Sequence, residues 1–322
     1  MFFKLVGNYR HIVPDRLSRD GYFNKLIISD STTTTLFKEI LKAAGANPKS
    51  GKRKGGIKVH MAIKAIEDIP YLVRFSSSAT NDRTFMPELC PPRGSIIVMD
   101  KGYNSFKHFN LWKAMGVDWV TRINKATVYE VIKDLPLKEK DKEEGVQSDQ
   151  IIIMGFKGKK EKVTCRLVTY YDSNTKKQFE FITSCRKWSA RKITQMYKHR
   201  WQIELLFKRL KQNMPLRNFL GDNENAIKIQ IFCALISDLL LKIKLKQVKR
   251  KWCYSNMVAL VRLHLVTYTD LIRFMENPDK CSIYNPPPEP KYHLSLFPNP
   301  GLGASKLENS LLKSKVGTEN GR

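Results

Sequence analysis

Two short runs of β-branched and aliphatic residues, each ending on an aspartate, constrain this chain more than any other feature. Residues 25–31 read KLIISDS and residues 95–103 read SIIVMDKGY. A short apolar run of this kind reads as a strand buried in the interior of a sheet, and here each strand delivers a carboxylate, Asp30 or Asp100, to its end. The segments between and after them alternate. TTTTLFKEILKAAG spaces Leu36, Ile40 and Leu41 as a short amphipathic helix, and a Gly/Lys-rich loop, PKSGKRKGG, follows. IKVHMAIKAI and PYLVRFSSSA, separated by Glu67, Asp68 and Pro70, read as a β-hairpin. Residues 104–116 read as a helix ending on Gly116, and VDWVTRI (117–123) returns to strand.

From about 124 to 185 the pattern changes to QIIIMGF, KVTCRLVTYY and QFEFITS, joined by a charged loop, KEKDKEEGVQSD. This is a β-rich unit inserted into an otherwise alternating α/β chain. One long helix is predicted from Ser189, a suitable N-cap, to about Met214, with further helical stretches near 223–250 and 255–276. After Pro286 the composition turns to Pro, Asn, Ser, Gly and Lys, which predicts a disordered tail over 286–322. The expected division is a short leading region (1–24), a first part of a core (25–123), the β-rich insertion (124–185), a second part of the core (186–250) and C-terminal helices (251–285).

Lysine and arginine total 57 against 30 acids in 322 residues, a formal +27 spread through the chain. Such an excess attracts a polyanion, and nucleic acid is the common one for a large basic protein. A membrane role is not expected. The longest apolar stretch, 229–245, is broken by Ser237, Asp238 and Lys242 and falls short of the roughly 20 apolar residues a span requires. The charged first twenty residues lack a signal-peptide core, so a cytoplasmic location is expected. The six cysteines are scattered without a Cys-x-x-Cys pair, as reduced structural thiols would be.

Two strand-borne aspartates and a glutamate on a later helix, Glu204, are a set of hard oxygen ligands of the kind that can hold two divalent cations, Mg²⁺ or Mn²⁺, about 3.5–4 Å apart for phosphoryl transfer, although an aspartate at a strand end is also a common solvated turn residue. In YKHRWQIELLFKRLKQN, Tyr197, Arg200, Glu204 and Lys211 are spaced so that on one helix they fall within an arc of about 60°. Ordinary exposed helices also carry such opposite charges, so a solvated salt-bridged stripe is the competing reading. His60 reads as a hydrogen-bonded strand histidine rather than a ligand, Asp82 as a cap of the following helix ahead of a catalytic role, and Trp119 and Trp188 as core rather than base stackers. Arg122 is expected either at a DNA backbone or paired with a surface acid. LKIKLKQVKRKW (241–252) reads equally as a phosphate track or a solvated helix end.

The order Tyr197, Arg200, Glu204, Lys211 resembles the YREK signature of transposases in the IS-four family of bacterial insertion sequences. IISDST around Asp30 and VMDKGYNSF around Asp100 resemble that family's two earlier acidic motifs. GKRKGGIKVH, WVTRI and FLGDNENAIKIQI add to the likeness, which covers roughly residues 25–245. The resemblance implies an RNase H-like fold of the retroviral-integrase superfamily. It also implies two metal ions held by Asp30, Asp100 and Glu204, and cut-and-paste chemistry on double-stranded DNA, both the terminal inverted repeats and the target. Tyr197, Arg200 and Lys211 would contact DNA near the cleaved end. A homodimer in the synaptic complex and a nucleoid-associated location are implied as well. Family members carry a longer region before the first acid, so residues 1–24 read as a remnant of it. The rival reading is therefore a truncated, inactive DNA-binding or dimerising remnant that interferes with full-length transposase. A general RNase H-like nuclease is a third.

Overall fold

The computed structural model describes residues 1–9, 21–35, 56–155, 161–216, 219–221, 223–267 and 270–278. It divides into two compact units, Met1–Ala259 and Leu260–Arg322. In the second, the described residues are the end of a helix and the short helix Leu271–Glu276, where the rings of His264 and Phe274 lie 4.1 Å apart.

The first unit is a mixed α/β structure built on one large sheet. After helix α1 (Phe2–Tyr9) come strands β1 (Leu26–Thr35), β2 (Gly56–Lys64), β3 (Ile69–Ser77) and β4 (Ile96–Met99), helix α2 (Phe106–Ala114) and β5 (Asp118–Arg122). The β-rich stretch supplies β6 (Tyr129–Asp134), a short helix α3 (Glu139–Glu143), β7 (Val146–Met154), β8 (Val163–Asp172) and β9 (Lys177–Thr183). Helices α4 (Ala190–Lys198), α5 (Trp201–Asn213), α6 (Glu224–Gln247) and α7 (Tyr254–His264) follow. The nine strands form one sheet in the order β3-β2-β1-β4-β5-β9-β8-β7-β6. β4 runs parallel to β1 and β5 parallel to β4, whereas β2, β3 and β9 join antiparallel. The β-rich stretch thus continues the sheet through β9 rather than forming a sheet of its own.

Several expectations change in physical detail. β1 does not stop after the acid: Thr32–Thr35 continue it, paired with β2 as far as Thr35 and Gly56. Four consecutive β-branched residues favour an extended backbone when a partner strand is present, so the helix expected from Thr32 does not begin there. Its apolar positions Leu36, Ile40 and Leu41 and the loop at 48–55 lie outside the described residues, as does the tail from 286. The charged loop of 138–149 contains α3 and the first residues of β7. The helix expected over 189–214 is two helices. His199 and Arg200 donate their N–H groups to Met196 and Tyr197, and Gln202 and Ile203 donate to His199 and Arg200. These three-residue bonds overwind the chain for one turn and re-aim α5 relative to α4. Ser189 occupies the N-cap position of α4 without a side-chain capping bond, and Asn81, not Asp82, caps the 3-10 turn at Asp82–Glu88.

One face of the sheet is closed by α2, whose Phe109 and Trp112 are buried against Trp119, Ile97, Met99 and Ile182. Phe109 stacks on Trp119 at 3.9 Å between centroids. Trp119 is therefore core, as expected, and His60 is a buried strand residue bonded to Ser76 Oγ at 2.9 Å. The apolar run of α6 is interrupted by buried Asp238, which accepts from Arg209 of α5 at 2.8 Å and from the Tyr254 hydroxyl at 2.7 Å. No helix among the described residues is long and apolar enough to cross a membrane. Cys90, Cys165, Cys185, Cys233 and Cys253 are free thiols, while Cys281 lies outside the described residues.

Candidate active site

The sheet register brings the two aspartates together. Parallel pairing of β1 and β4 ends at Ser29 opposite Met99. The next residue on each side is an acid. β4 leaves the sheet at Asp100, which accepts from the Gly102 N–H as the N-cap of a 3-10 turn, while β1 continues through Asp30 on its pairing with β2. Two neighbouring parallel strands thus present one carboxylate each, a single step beyond their last shared rung.

Glu204 comes from α5, which packs on β1. Arg200, one helical turn earlier, binds both acids with one nitrogen: Nη1 lies 3.2 Å from Asp30 Oδ2 and 2.6 Å from Glu204 Oε1. Arg122, the last residue of β5, donates from Nη2 to Asp100 Oδ1 at 2.9 Å, so its partner here is an acid of the site rather than a surface acid. Tyr197 lies between these cations, its ring centroid 5.8 Å from the Arg122 guanidinium and 5.7 Å from that of Arg200, and it packs on Phe181 of β9 at 4.8 Å. Lys211 is set apart along α5, donating to Thr32 Oγ1 at 2.6 Å and to the Thr33 carbonyl at 3.2 Å. Tyr197, Arg200, Glu204 and Lys211 therefore do not form a stripe on one helix. The break after Lys198 puts Tyr197 on α4, turned inward between two arginines.

A neighbour that the sequence reading cast as a cap also joins the site. Asp82 Oδ1 accepts from the Ser31 hydroxyl at 2.8 Å and lies 3.1 Å from Lys58 Nζ. Ser31 in turn donates its backbone N–H to Asp30 Oδ1 at 2.8 Å. Ser31 sits inside the same IISDST run, but the partner 51 residues away leaves no local signature.

The electrostatics separate the two aspartates. Burial pushes Asp30 up to about 6, against the Ser31 N–H and Arg200, with the charges of Asp100 and Glu204 adding to the rise. Asp100 is also pushed up by burial, but the Arg122 hydrogen bond, the Gly102 and Lys101 N–H groups and the Arg122 charge outweigh that and hold it below the usual carboxylate range. For Tyr197, burial raises the phenol despite both arginines.

The Asp30 shift has a checkable sign. Its folded pKa lies above its unfolded value of 3.8, so between about pH 4 and 6 the folded state holds a proton that the unfolded state has released. Stability therefore falls as pH rises through that window, and ionised Asp30 costs the metal-free fold on the order of 3 kcal/mol above it. Asp30→Asn is expected to raise the melting temperature at pH 7.5 in chelator and to flatten the pH 4–6 slope; an unchanged slope would contradict the assignment.

Three carboxylates on two strands and a helix are a hard-oxygen donor set suited to a divalent cation. Among the described residues, no three acid, histidine or cysteine side chains stand close enough together to hold an ion without moving. In this state Asp30 and Glu204 are paired with Arg200, and Asp100 with Arg122. The donor set nevertheless fits a cation, because two of the acids already converge on one cationic nitrogen and the most buried of them, Asp30, is disfavoured as an anion first by burial and then by the charges of the other two.

The family described as transposase DDE domain matches residues 21–239. Among curated proteins, the chain is 29% identical over 249 residues to the putative transposase y4zB of Sinorhizobium fredii, covering 74% of this chain and 65% of that protein. It is 26% identical over 238 residues to a probable transposase for insertion sequence element IS5377 of Geobacillus stearothermophilus, with coverages of 74% and 61%. It is 30% identical over 160 residues to a putative transposase for insertion sequence element IS4SA of Synechocystis, with coverages of 47% and 42%. The chain thus spans less than two thirds of the length of each of these relatives.

Proposed function

This chain belongs to the transposase DDE-domain family, and from that premise we propose that it is the catalytic core of a DNA transposase that cuts element ends and joins them to target DNA. The observation that carries the reading is the rung at Ser29 and Met99, which sets Asp30 beside Asp100 while α5 brings Glu204 to them through Arg200. An RNase H-like core is supported by the order β3-β2-β1-β4-β5, antiparallel up to β1 and parallel from there to β5. The stretch between β5 and α4 is then the β-rich insertion between the second aspartate and the glutamate.

In this reading Asp30, Asp100 and Glu204 are the ligands of divalent cations, two Mg²⁺ or Mn²⁺ ions. When bound, such ions activate a water or hydroxyl oxygen and neutralise charge on the scissile phosphate. The residues of the chain do the rest. Arg200 and Arg122, released from the carboxylates, turn their guanidinium forks to phosphate oxygens beside the scissile one, where paired N–H donors match the anion's geometry. Tyr197, whose ring lies between the two guanidiniums, stays their shared neighbour as they turn. Lys211 reaches the backbone further along the bound strand. The partners are double-stranded DNA at the inverted repeats and the target, with a second copy of the chain in the synaptic complex.

The test is a supercoiled plasmid carrying the DNA that flanks this gene, incubated with purified protein and Mg²⁺. Breaks at the flank boundaries with free 3′-hydroxyls, followed by joined products, are expected. Cutting that ignores the boundaries would favour a general nuclease, and binding without cutting would favour a non-catalytic DNA-binding protein.

A further inference from the structure

Beside Asp100, where its neighbour Lys101 and its partner Arg122 reach the wall, lies an open cleft of about 580 Å³ lined by Lys101, Arg122, Lys125, Lys176 and Lys177, with Glu180 as the acid in its wall. Arg122 is paired with Asp100 in the absence of DNA. Lys101, Lys125, Lys176 and Lys177 are exposed, and none forms an ion pair with a described residue. Four ammonium groups line one opening that holds a single acid, an excess of positive charge that favours a polyanion.

The turn that supplies two of them adds an independent observation. β8 and β9 close their ladder at Asp172 opposite Lys177. Asp172 fixes the turn by accepting from the Asn174 N–H at 3.1 Å and from the Thr175 hydroxyl at 2.8 Å. Lys176 then takes φ +53°, the left-handed region where glycine or asparagine fits best. Closing this turn does not require a lysine at that position, and the lysine found there lines the cleft. Local strain retained at a surface charge points to a use for the charge.

We infer that this cleft is a track for the DNA phosphodiester backbone, carrying one strand from the Asp100 side of the site across the β8–β9 turn, with Lys125, Lys176 and Lys177 as its phosphate contacts. The inference rests on the transposase reading and extends the DNA path to residues that neither the acidic motifs nor the YREK-like series includes. Contacts of this kind are sequence-independent and act through counterion release.

The test is fluorescence anisotropy of the full chain with a labelled duplex of arbitrary sequence, titrated with NaCl. Lys176→Gly combined with Lys177→Gln removes two phosphate contacts and should make the slope of log affinity against log salt shallower by about 1.8. Affinity at 0.1 M salt should fall by roughly 60-fold, the same slope change taken over the decade below 1 M salt. Lys138→Gln with Lys140→Gln, the same charge change outside the cleft, should leave the slope within error. Lys176→Gly alone relieves the backbone and should not lower the melting temperature, so weaker binding cannot be laid to misfolding. If the wild type binds and the cleft variant keeps its slope, or the control loses as much, the track is wrong while the transposase reading stands. If the wild type does not bind the duplex even at low salt, both fall.

Discussion

Glu204→Gln is expected to lower Mg²⁺-dependent strand cleavage by at least about 100-fold while leaving the fold intact. Loss of a partner that merely orients a metal ligand costs 10–100-fold, and loss of a ligand's charge exceeds that. Glutamine keeps the length of the side chain and can still accept from Arg200, which retains its bond to Asp30. Glu204 is about a third exposed, so the ion pair it gives up contributes little to stability. A melting temperature within a few degrees of wild type, alongside lost cleavage, separates a chemical role from a structural one. Retained cleavage would remove Glu204 from the proposed centre.

The largest effect on stability is expected elsewhere, at Asp149→Ala. Asp149 on β7 and Arg166 on β8 are 4% and 6% exposed and form a two-pronged pair, while Arg166 also donates to the carbonyls of Trp188 and Cys185 just before α4. Removing the acid strands a buried guanidinium, at a cost of about 3–5 kcal/mol, which for a unit of this size lowers the melting temperature by roughly 10 °C. The double change Asp149→Leu with Arg166→Met should recover most of the loss, because two apolar side chains leave no unpaired charge. Lys142→Ala, at the exposed pair with Glu139, should change stability by less than about 1 kcal/mol. The cluster also bears on the site, since it anchors the connection that positions α4 and with it Tyr197. Thermal melts of the four proteins decide the matter; an unaffected Asp149→Ala would mean that the β-rich stretch is held to the core by something else.

What the sequence made legible follows the range of the forces involved. The strands before Asp30 and Asp100 could be read because burial on both faces demands a continuous apolar run, a local signal. That the acids are neighbours could not, since it depends on the register of β1 against β4, fixed by packing across the sheet. β1 ran past Asp30 because β2 continued to pair with it, which no property of Thr32–Thr35 alone determines. The apparent helix face at 197–211 dissolved for a similar reason: a uniform 100° step counts residues correctly only without a break, and the overwound turn at His199–Arg200 is visible only in backbone hydrogen bonds. Arg200 proved central through a contact 170 residues away at Asp30, and Asp82 joined the site across 51 residues to Ser31. The lysines of the β8–β9 turn were in plain view as an adjacent pair. What was hidden was that the turn opens beside Asp100.

The central claim, that three carboxylates from β1, the end of β4 and α5 make one metal centre, is tested most directly by Mn²⁺ binding. The depletion of the free-ion electron paramagnetic resonance signal would be measured at pH 7.5 with duplex DNA present. The wild type is expected to take up Mn²⁺, and Asp30→Asn, Asp100→Asn and Glu204→Gln each to weaken binding by at least about tenfold, with all three variants folded. Equal Mn²⁺ uptake by the wild type and all three variants would contradict that claim.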